Sequence, residues 1–501
     1  MQHSHGPLTI GRHGEVRGSD LSRRSSQFEG RFGRMFRTLP AGRFDETMLI
    51  DLARAMTADA DTPTPEDQAD DEENSGISAG YTYLGQFIDH DLTFDPASSL
   101  QKQNDPDGLT DFRTPRFDLD CVYGRGPDDQ PYLYRQDGIH MLLGAKLTGN
   151  DADPSARMIP RETPENGEAA RATIGDPRND ENVIVSQLQS SMLRFHNRMA
   201  DLLGAAAAFD EIQRQVRWHY QWVVLHDFLP TIIGQDMVNS ILGVTGPGKP
   251  VDPHLKFYKP KESAFMPVEF SVAAYRFGHS MVRPIYRLNA KVDRLPIFSM
   301  KGESLVGFRA FPPNLGIDWS LFFKMGDAPK TGPKRVQPAY KIDTSLVNPL
   351  GSLPASVATN PASLPQRNLL RGMRMSLPSG QSVARAMGVK PIDDKDLRVG
   401  KATEADSTGN KRLTDISPKF AGNAPLWYYV LAEAQQQFKK NDTPIRLGAV
   451  GGRIVGEVFV GLMLADSHSY IRQNPNFTPR SDMTSPSGEF KMADLLRQAM
   501  Q

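Results

Sequence analysis

Cysteine is nearly absent from this chain. A single one, Cys121, excludes an intrachain disulfide framework and any zinc or iron–sulfur site built on cysteines. No excess of charge of either sign is present. Against 59 Asp and Glu stand 58 Lys and Arg, so the chain lacks the basic footprint of a dedicated nucleic-acid binder. Long apolar runs are missing too. The longest, Leu447–Asp466, is interrupted by Arg453 and Glu457 and is too polar for a transmembrane span. Its residues Ile454, Val455, Val458, Phe459, Leu462 and Met463 recur as helical pairs and predict a core helix. The first residues, MQHSHGPLTIGRHGEVRG, contain no apolar signal-peptide segment, so the expected location is cytoplasmic, or secreted without a leader. Internal repeats are also lacking. A length of 501 residues is enough for several domains or one large one.

The richest stretch is Tyr81–Pro96, YTYLGQFIDHDLTFDP. Residues three and four apart share a helix face, so Gln86, Asp89 and His90 fall within an arc of about 100°. Asp91 points about 100° further round. One short helix thus offers an amide, an imidazole and a carboxylate to one cavity and sends a second carboxylate elsewhere. An ordinary solvated helix end would carry the same residue types.

Other stretches follow in order. His3, His5 and His13 lie in a basic, polar start that reads as a flexible tail, and 56–76 reads as an exposed acidic loop. NDPDG at 104–108 starts like an EF-hand loop but lacks the closing glutamate. In Thr114–Gly124, TPRFDLDCVYG, residues Thr114, Arg116, Asp118 and Asp120 alternate, which in an extended segment puts them on one side. Hydroxyl, carboxylate and carbonyl oxygens are hard ligands suited to Ca²⁺, and a solvated strand face is the alternative. Arg178 and Glu181 stand three apart before a helix predicted over Val183–Leu203, and a second helix is predicted over Asp210–Leu229. Arg276 and His279 are three apart on a predicted helix among small residues, and Asn368 and Arg371 again stand three apart further on. A terminal amphipathic helix is predicted at Asp494–Met500.

Taken in order with RWHYQWVVLHDFLP (217–230), IDWSLFF (317–323), IDTSLVNPLGSLP (342–354), PLWYYVLAEA (425–434) and LGAVGGRIVGEVFVGLM (447–463), these pieces resemble the animal-type haem peroxidases of the peroxidase–cyclooxygenase superfamily. The likeness is to the myeloperoxidase and lactoperoxidase type, and most of all to its bacterial members. It implies a mainly α fold: a large helical haem-peroxidase domain with little β-structure over 76–480, a flexible N-terminal region with an acidic loop over 1–75, and a tail with a short helix over 481–501. It implies haem b and Ca²⁺ as cofactors, hydrogen peroxide as oxidant, and small organic donors, halides or thiocyanate as reductants.

The resemblance also implies roles. His90 matches the distal histidine, Gln86 the distal glutamine and Arg178 the distal arginine. His279 matches the proximal iron ligand, and Asn368 the asparagine whose carbonyl accepts its other N–H. Arg276 and Arg371 match positions near the haem propionates. Asp89 and Glu181 match the carboxylates that form ester links to haem. Asp91, Thr114, Arg116 (through its carbonyl), Asp118 and Asp120 match the calcium ligands. Asn182 stands where a methionine makes a sulfonium link in one branch, so only ester links are expected. Two rival functions remain. A fatty-acid dioxygenase of the same superfamily needs a tyrosine three residues before the proximal histidine, where this chain has Arg276, with Tyr275 adjacent. A non-catalytic haem- and calcium-binding sensor is the other.

Overall fold

The computed structural model describes residues 30–501 except 60–69, 94–109, 112, 164–168, 244–252, 261–263, 300–301, 359, 405, 407–408 and 439–441. The N-terminal histidines and NDPDG therefore lie outside the described residues, as do residues 60–69 of the acidic loop. The fold is mainly helical, with β-structure limited among the described residues to short two- and three-stranded sheets.

Helix α1 spans Glu46–Ala55, capped by Asp45, and buries Met48, Leu49 and Leu52. It is part of the core, where the sequence reading placed flexible chain. The same correction applies to residues 73–75: strand β1, Glu73–Ser78, pairs antiparallel with β2, Pro338–Tyr340. Strand β1 runs straight into α2, Ala79–Leu92. Carbonyls from elsewhere satisfy the first free N–H groups of α2: Ala79 N donates to Gln337 O (2.8 Å) and Gly80 N to Phe322 O (3.2 Å). Only glycine fits at 80, because a Cβ would stand 2.5 Å from the Phe322 carbonyl oxygen.

Helix α3, Val183–Leu203, has the predicted bounds. Asn182 Oδ1 caps it by accepting from Ile184 N (3.1 Å) and Val185 N (2.9 Å), and Gly204 follows its last turn at φ 82°. Helix α4, Phe209–Val223, is shorter than predicted. It passes into a π-turn at Val224–Phe228 and a last helical turn at Leu229–Ile233. The π-turn swings Asp227 to accept from Tyr81 Oη (2.6 Å) and Met492 N (2.8 Å).

Helices α5 (Leu364–Arg374), α6 (Leu426–Gln435), α7 (Ala449–Ala465) and α8 (Met492–Ala499) complete the body. Helix α7 is buried nearly all round. The Oε2 of its buried Glu457 accepts from three backbone N–H groups, of Lys256, Phe257 and Tyr258, and Oε1 lies 3.8 Å from Arg453 Nη1. Helix α8 buries Leu495 and Leu496 and packs on α3, so the C-terminal segment belongs to the body. Among the described residues, no helix is long and apolar enough to cross a membrane.

Candidate functional site

A cavity of about 530 Å³ opens between α2 and the segment Ala274–His279. That segment is a tight 3₁₀ turn rather than an α-helix, so Arg276 and His279 are eclipsed on one side of it. Gln86, Asp89 and His90 line the cavity from α2, Glu181 and Asn182 from the entrance of α3, and Tyr275, Arg276 and His279 from the 3₁₀ turn. The predicted face of α2 therefore does converge, and two imidazoles stand on the walls of one space. Arg178, Asn368 and Arg371 are not lining residues.

His90 is 4% exposed. Its Nδ1 lies 2.7 Å from Asn179 Oδ1, and Asn179 Nδ2 in turn donates to Gln189 Oε1 (2.8 Å). With the amide oxygen toward the ring, Nδ1 carries the proton and Nε2 keeps its lone pair. Nε2 lies 3.7 Å from Glu181 Oε1. Burial, then the positive charge of Arg178, holds the imidazole down at about 3, so it is neutral near pH 7. Burial pushes the Glu181 carboxyl up to about 7. Glu181 accepts from Gln86 Nε2, and Gln86 Oε1 accepts from Asn182 Nδ2 (3.1 Å). Asn182 thus caps α3 and orients Gln86 at once.

Arg178 lies behind His90. Its Nη2 donates to the His90 carbonyl (3.0 Å) and to Asp176 Oδ2 (2.7 Å). Burial pushes Asp176 up, but Arg178 and Arg113 overcome it and hold that carboxyl well below the usual carboxylate range. Arg113 binds Asp176 at 2.6 Å and reaches Asp120 Oδ1 at 3.5 Å.

On the other wall, burial and then Arg276 hold His279 down at about 3. Asn368 contacts its Nδ1 at 2.8 Å. The orientation is opposite to that expected. The amide nitrogen faces the ring, and Asn368 Oδ1 accepts from Arg276 Nη1 (3.2 Å). The charged Arg276 guanidinium is the stronger donor for the amide oxygen. Burial also lowers Arg276, with the charges of Arg371 and Arg367 acting the same way and Asp89 opposing. Burial raises Asp89, which accepts from Thr93 Oγ1 (3.1 Å).

A second cluster lies on the far side of α2. Carboxylate oxygens of Asp91, Asp118 and Asp120 lie within 4.8 Å of one another. Thr114 Oγ1 donates to Asp118 Oδ2 (2.7 Å), and Cys121 Sγ lies 3.5 Å from Asp91 Oδ1. These residues do not alternate along a strand. Pro115 and Leu119 at φ 58° curl the segment into a turn that ends in helix Asp120–Tyr123, and Arg116 N donates to Thr114 O (2.8 Å) inside it. Burial and mutual repulsion raise Asp91 far above its ordinary value and Asp120 to about 7. Asp91 Oδ2 and Asp120 Oδ1 are buried without a hydrogen bond. Two buried carboxylates and the half-buried Asp120, with Asp91 Oδ2 lacking a hydrogen bond and Asp120 Oδ1 met by Arg113 at 3.5 Å, fit a hard divalent cation.

Asn179, Asp176 and Arg113 were not singled out from the sequence. Asp176 and Asn179 flank Arg178 within IGDPRNDENV, but nothing in their spacing marks them as partners of a histidine 89 residues away.

Residues 101–304 match the family model of the animal haem peroxidases. Thyroid peroxidase of Rattus norvegicus is 25% identical over 366 residues, 69% of this chain and 37% of its own length. Thyroid peroxidase of Sus scrofa is 30% identical over 218 residues, 40% and 22% of the two chains. Peroxidasin of Drosophila melanogaster is 25% identical over 254 residues, 46% and 15%. The matches thus span between 15% and 37% of these relatives. Among solved structures, peroxidase A of Dictyostelium discoideum superposes with a TM-score of 0.57 at 16% identity, covering 91% of this chain and 93% of that one. A fatty acid alpha-dioxygenase of Oryza sativa gives 0.56 at 14% identity, covering 95% and 80%. Together these findings show that residues 101–304 are similar to the animal haem peroxidases, and that the chain as a whole shares the fold of its peroxidase and dioxygenase neighbours.

Proposed function

We propose that this protein is a hydrogen-peroxide-dependent haem peroxidase that oxidises small donors, a bacterial member of the myeloperoxidase–lactoperoxidase branch. The observation that carries the proposal is the pair of neutral imidazoles, buried His90 and half-buried His279, on the walls of one cavity. The residues fit a planar iron porphyrin. His279 offers a neutral ring, a Cβ on the adjacent Gly278 would meet only open space, and Arg276 with Arg371 supplies positive charge for propionates. Bound haem supplies the iron chemistry that splits the peroxide bond. For His279 to ligate through Nε2, its proton must move to Nδ1. The Asn368 amide then turns its oxygen to the ring and releases Arg276. Asp89 and Glu181 are the carboxyls available for ester links.

His90 does the proton work. Its Nε2 takes a proton from the near peroxide oxygen and returns it to the departing one. Hydrogen peroxide thereby accepts two electrons and two protons and leaves as two waters, with each organic donor giving one electron or a halide or thiocyanate giving two. Gln86 and Glu181 order the polar end of the cavity. Arg178 acts from behind: it keeps His90 neutral by its charge and holds its carbonyl. Asp91, Asp118, Asp120, Thr114 Oγ1 and the Arg116 carbonyl are the ligands proposed for Ca²⁺, which would anchor the end of α2 next to His90.

A dioxygenase reading has one observation in its favour, Tyr275 in the cavity wall. Its hydroxyl donates to Gly85 O (3.1 Å) and its ring stacks on Phe270 at 4.7 Å. In a 3₁₀ turn Tyr275 lies about 120° round from His279, while Arg276 is the eclipsed residue, so the peroxidase reading is preferred.

The test is the optical spectrum of haem-supplemented protein before and after stoichiometric peroxide. A Soret band that shifts rapidly and returns on adding a donor is expected, with His90→Ala slowing the shift about a hundredfold or more. A Soret band inert to peroxide, or an unchanged rate in His90→Ala, would refute the assignment.

A further inference from the structure

The large hydrophobic side chains left exposed among the described residues are Tyr132, Phe308 and Val357, and two of these three line the cavity. Phe308 is 55% exposed and Val357 48%. A single exposed apolar residue needs no explanation, but two at the mouth of one cavity do.

Phe308 is held there by its backbone. Gly307 N donates to Glu181 O (3.0 Å) and Phe308 N to Asp180 O (2.7 Å), so the loop lies flush on the distal wall next to Glu181. Any side chain at 307 would collide with the Asp180 carbonyl. Phe308 itself sits at φ 53°, in the left-handed region that a phenylalanine avoids. A bulky ring is thus kept in an unfavourable backbone conformation and presented to water, a combination that marks a ligand contact.

The same cavity is lined by the buried apolar side chains Ile297, Leu350 and Leu353. Among the described lining residues, the charged groups come from α2, Glu181 and the 3₁₀ turn. Among the described lining residues the one guanidinium is Arg276 of the 3₁₀ turn, so an anion at Phe308 and Val357 would lose hydration against apolar side chains, whereas an uncharged apolar molecule would cover both.

We infer that the mouth formed by Phe308 and Val357 binds an uncharged, apolar organic donor, such as an alkyl-substituted phenol, in preference to a halide. This rests on the peroxidase reading for the donor's fate, but not for its binding.

The test uses the haem-loaded full chain with peroxide and the series phenol, 4-ethylphenol and 4-tert-butylphenol, with iodide alongside. Across that series kcat/KM should rise about fivefold or more, chiefly through KM. Phe308→Ser and Val357→Ser should each cut the rise to less than about twofold. Phe308→Gly, which tolerates the backbone conformation, should behave like Phe308→Ser and covers a failure of the serine variant to fold. A flat series in the unsubstituted protein, a preference for iodide, or an undiminished rise in these variants overturns the inference. Calorimetric titration with 4-tert-butylphenol, without peroxide, separates the two readings. Weaker binding in the variants upholds the apolar mouth even if no donor is turned over. Equal binding in all proteins sinks it even if the peroxidase reading stands.

Discussion

Asn179 decides which nitrogen of His90 faces the cavity. Its oxygen holds Nδ1 at 2.7 Å, and Gln189 holds its amide the right way round. Without that contact the buried ring can take either tautomer, and half of its chemistry is lost. Outer partners of this kind are worth about ten- to a hundredfold, so Asn179→Ala should slow the peroxide-driven Soret shift by that factor while haem still binds. A rate equal to that of the unsubstituted protein would remove Asn179 from the mechanism. Glu181 gives a pH-dependent test. Its carboxyl moves from an ordinary 4.5 to about 7 on folding, mainly by burial. A proton held more tightly in the folded state stabilises it below pH 4.5, and that contribution fades as pH rises through about 7. The side chain keeps 35% of its surface open to the cavity, so solvent screens the charge. The effect is then on the order of 1–2 kcal/mol, below the full value of the shift. Urea unfolding of haem-free protein should show Glu181→Gln gaining that much over the parent between about pH 4.5 and pH 8. A difference that stays constant with pH would contradict it.

At the scale of elements, α2 is held at its C-terminal end by two charged systems that share Arg113. One is the Asp91, Asp118 and Asp120 cluster; the other is the chain from Arg113 through Asp176 to Arg178 and the His90 carbonyl. A cation at the cluster would relieve the repulsion of its three carboxylates. Adding Ca²⁺ to chelator-treated protein should raise the unfolding free energy by about 2.7 kcal/mol at a hundredfold excess over Kd, and Asp118→Ala should abolish the gain. No thermal shift with Ca²⁺ would leave the cluster a purely structural network. These elements also show what the sequence could reveal. Helix α3 was legible to its ends because Asn182, an apolar stripe and Gly204 are local signals. The cavity-facing set on α2 was legible because helical spacing alone brings Gln86, Asp89 and His90 together. The Thr114–Asp120 ligands were legible as oxygen donors but not in shape, since the turn depends on Leu119 at φ 58°. The orientation of Asn368 and the retreat of Arg178 onto Asp176 were hidden, because each depends on a charged neighbour competing for the same oxygen.

For the whole molecule, the question is what holds the two walls of the cavity in place. Apolar packing around α2 and α7 supplies most of the cohesion, but it is non-directional. Direction comes from Glu73 in β1, six residues before α2 begins. Its carboxylate binds Arg283 at 2.9 Å and Arg335 at 2.6 Å, and all three side chains are at most 5% exposed. Arg283 lies four residues beyond His279, and it also donates to Pro338 O in β2 (3.0 Å). One buried ion triad therefore ties the strand that leads into the His90 helix to the segment that leaves His279. Such a triad need not add net stability over an apolar replacement, but removing one partner strands the others. Glu73→Ala leaves two buried guanidinium groups short of an acceptor, with an expected loss of about 3–5 kcal/mol in urea unfolding. If the triad also sets the spacing of the walls, Glu73→Ala should bind haem more weakly even where it is fully folded. A triple variant with leucine at 73 and methionine at 283 and 335 should recover stability without recovering haem affinity. Recovery of both would mean that the triad is only a source of stability, and that packing alone spaces the two histidines.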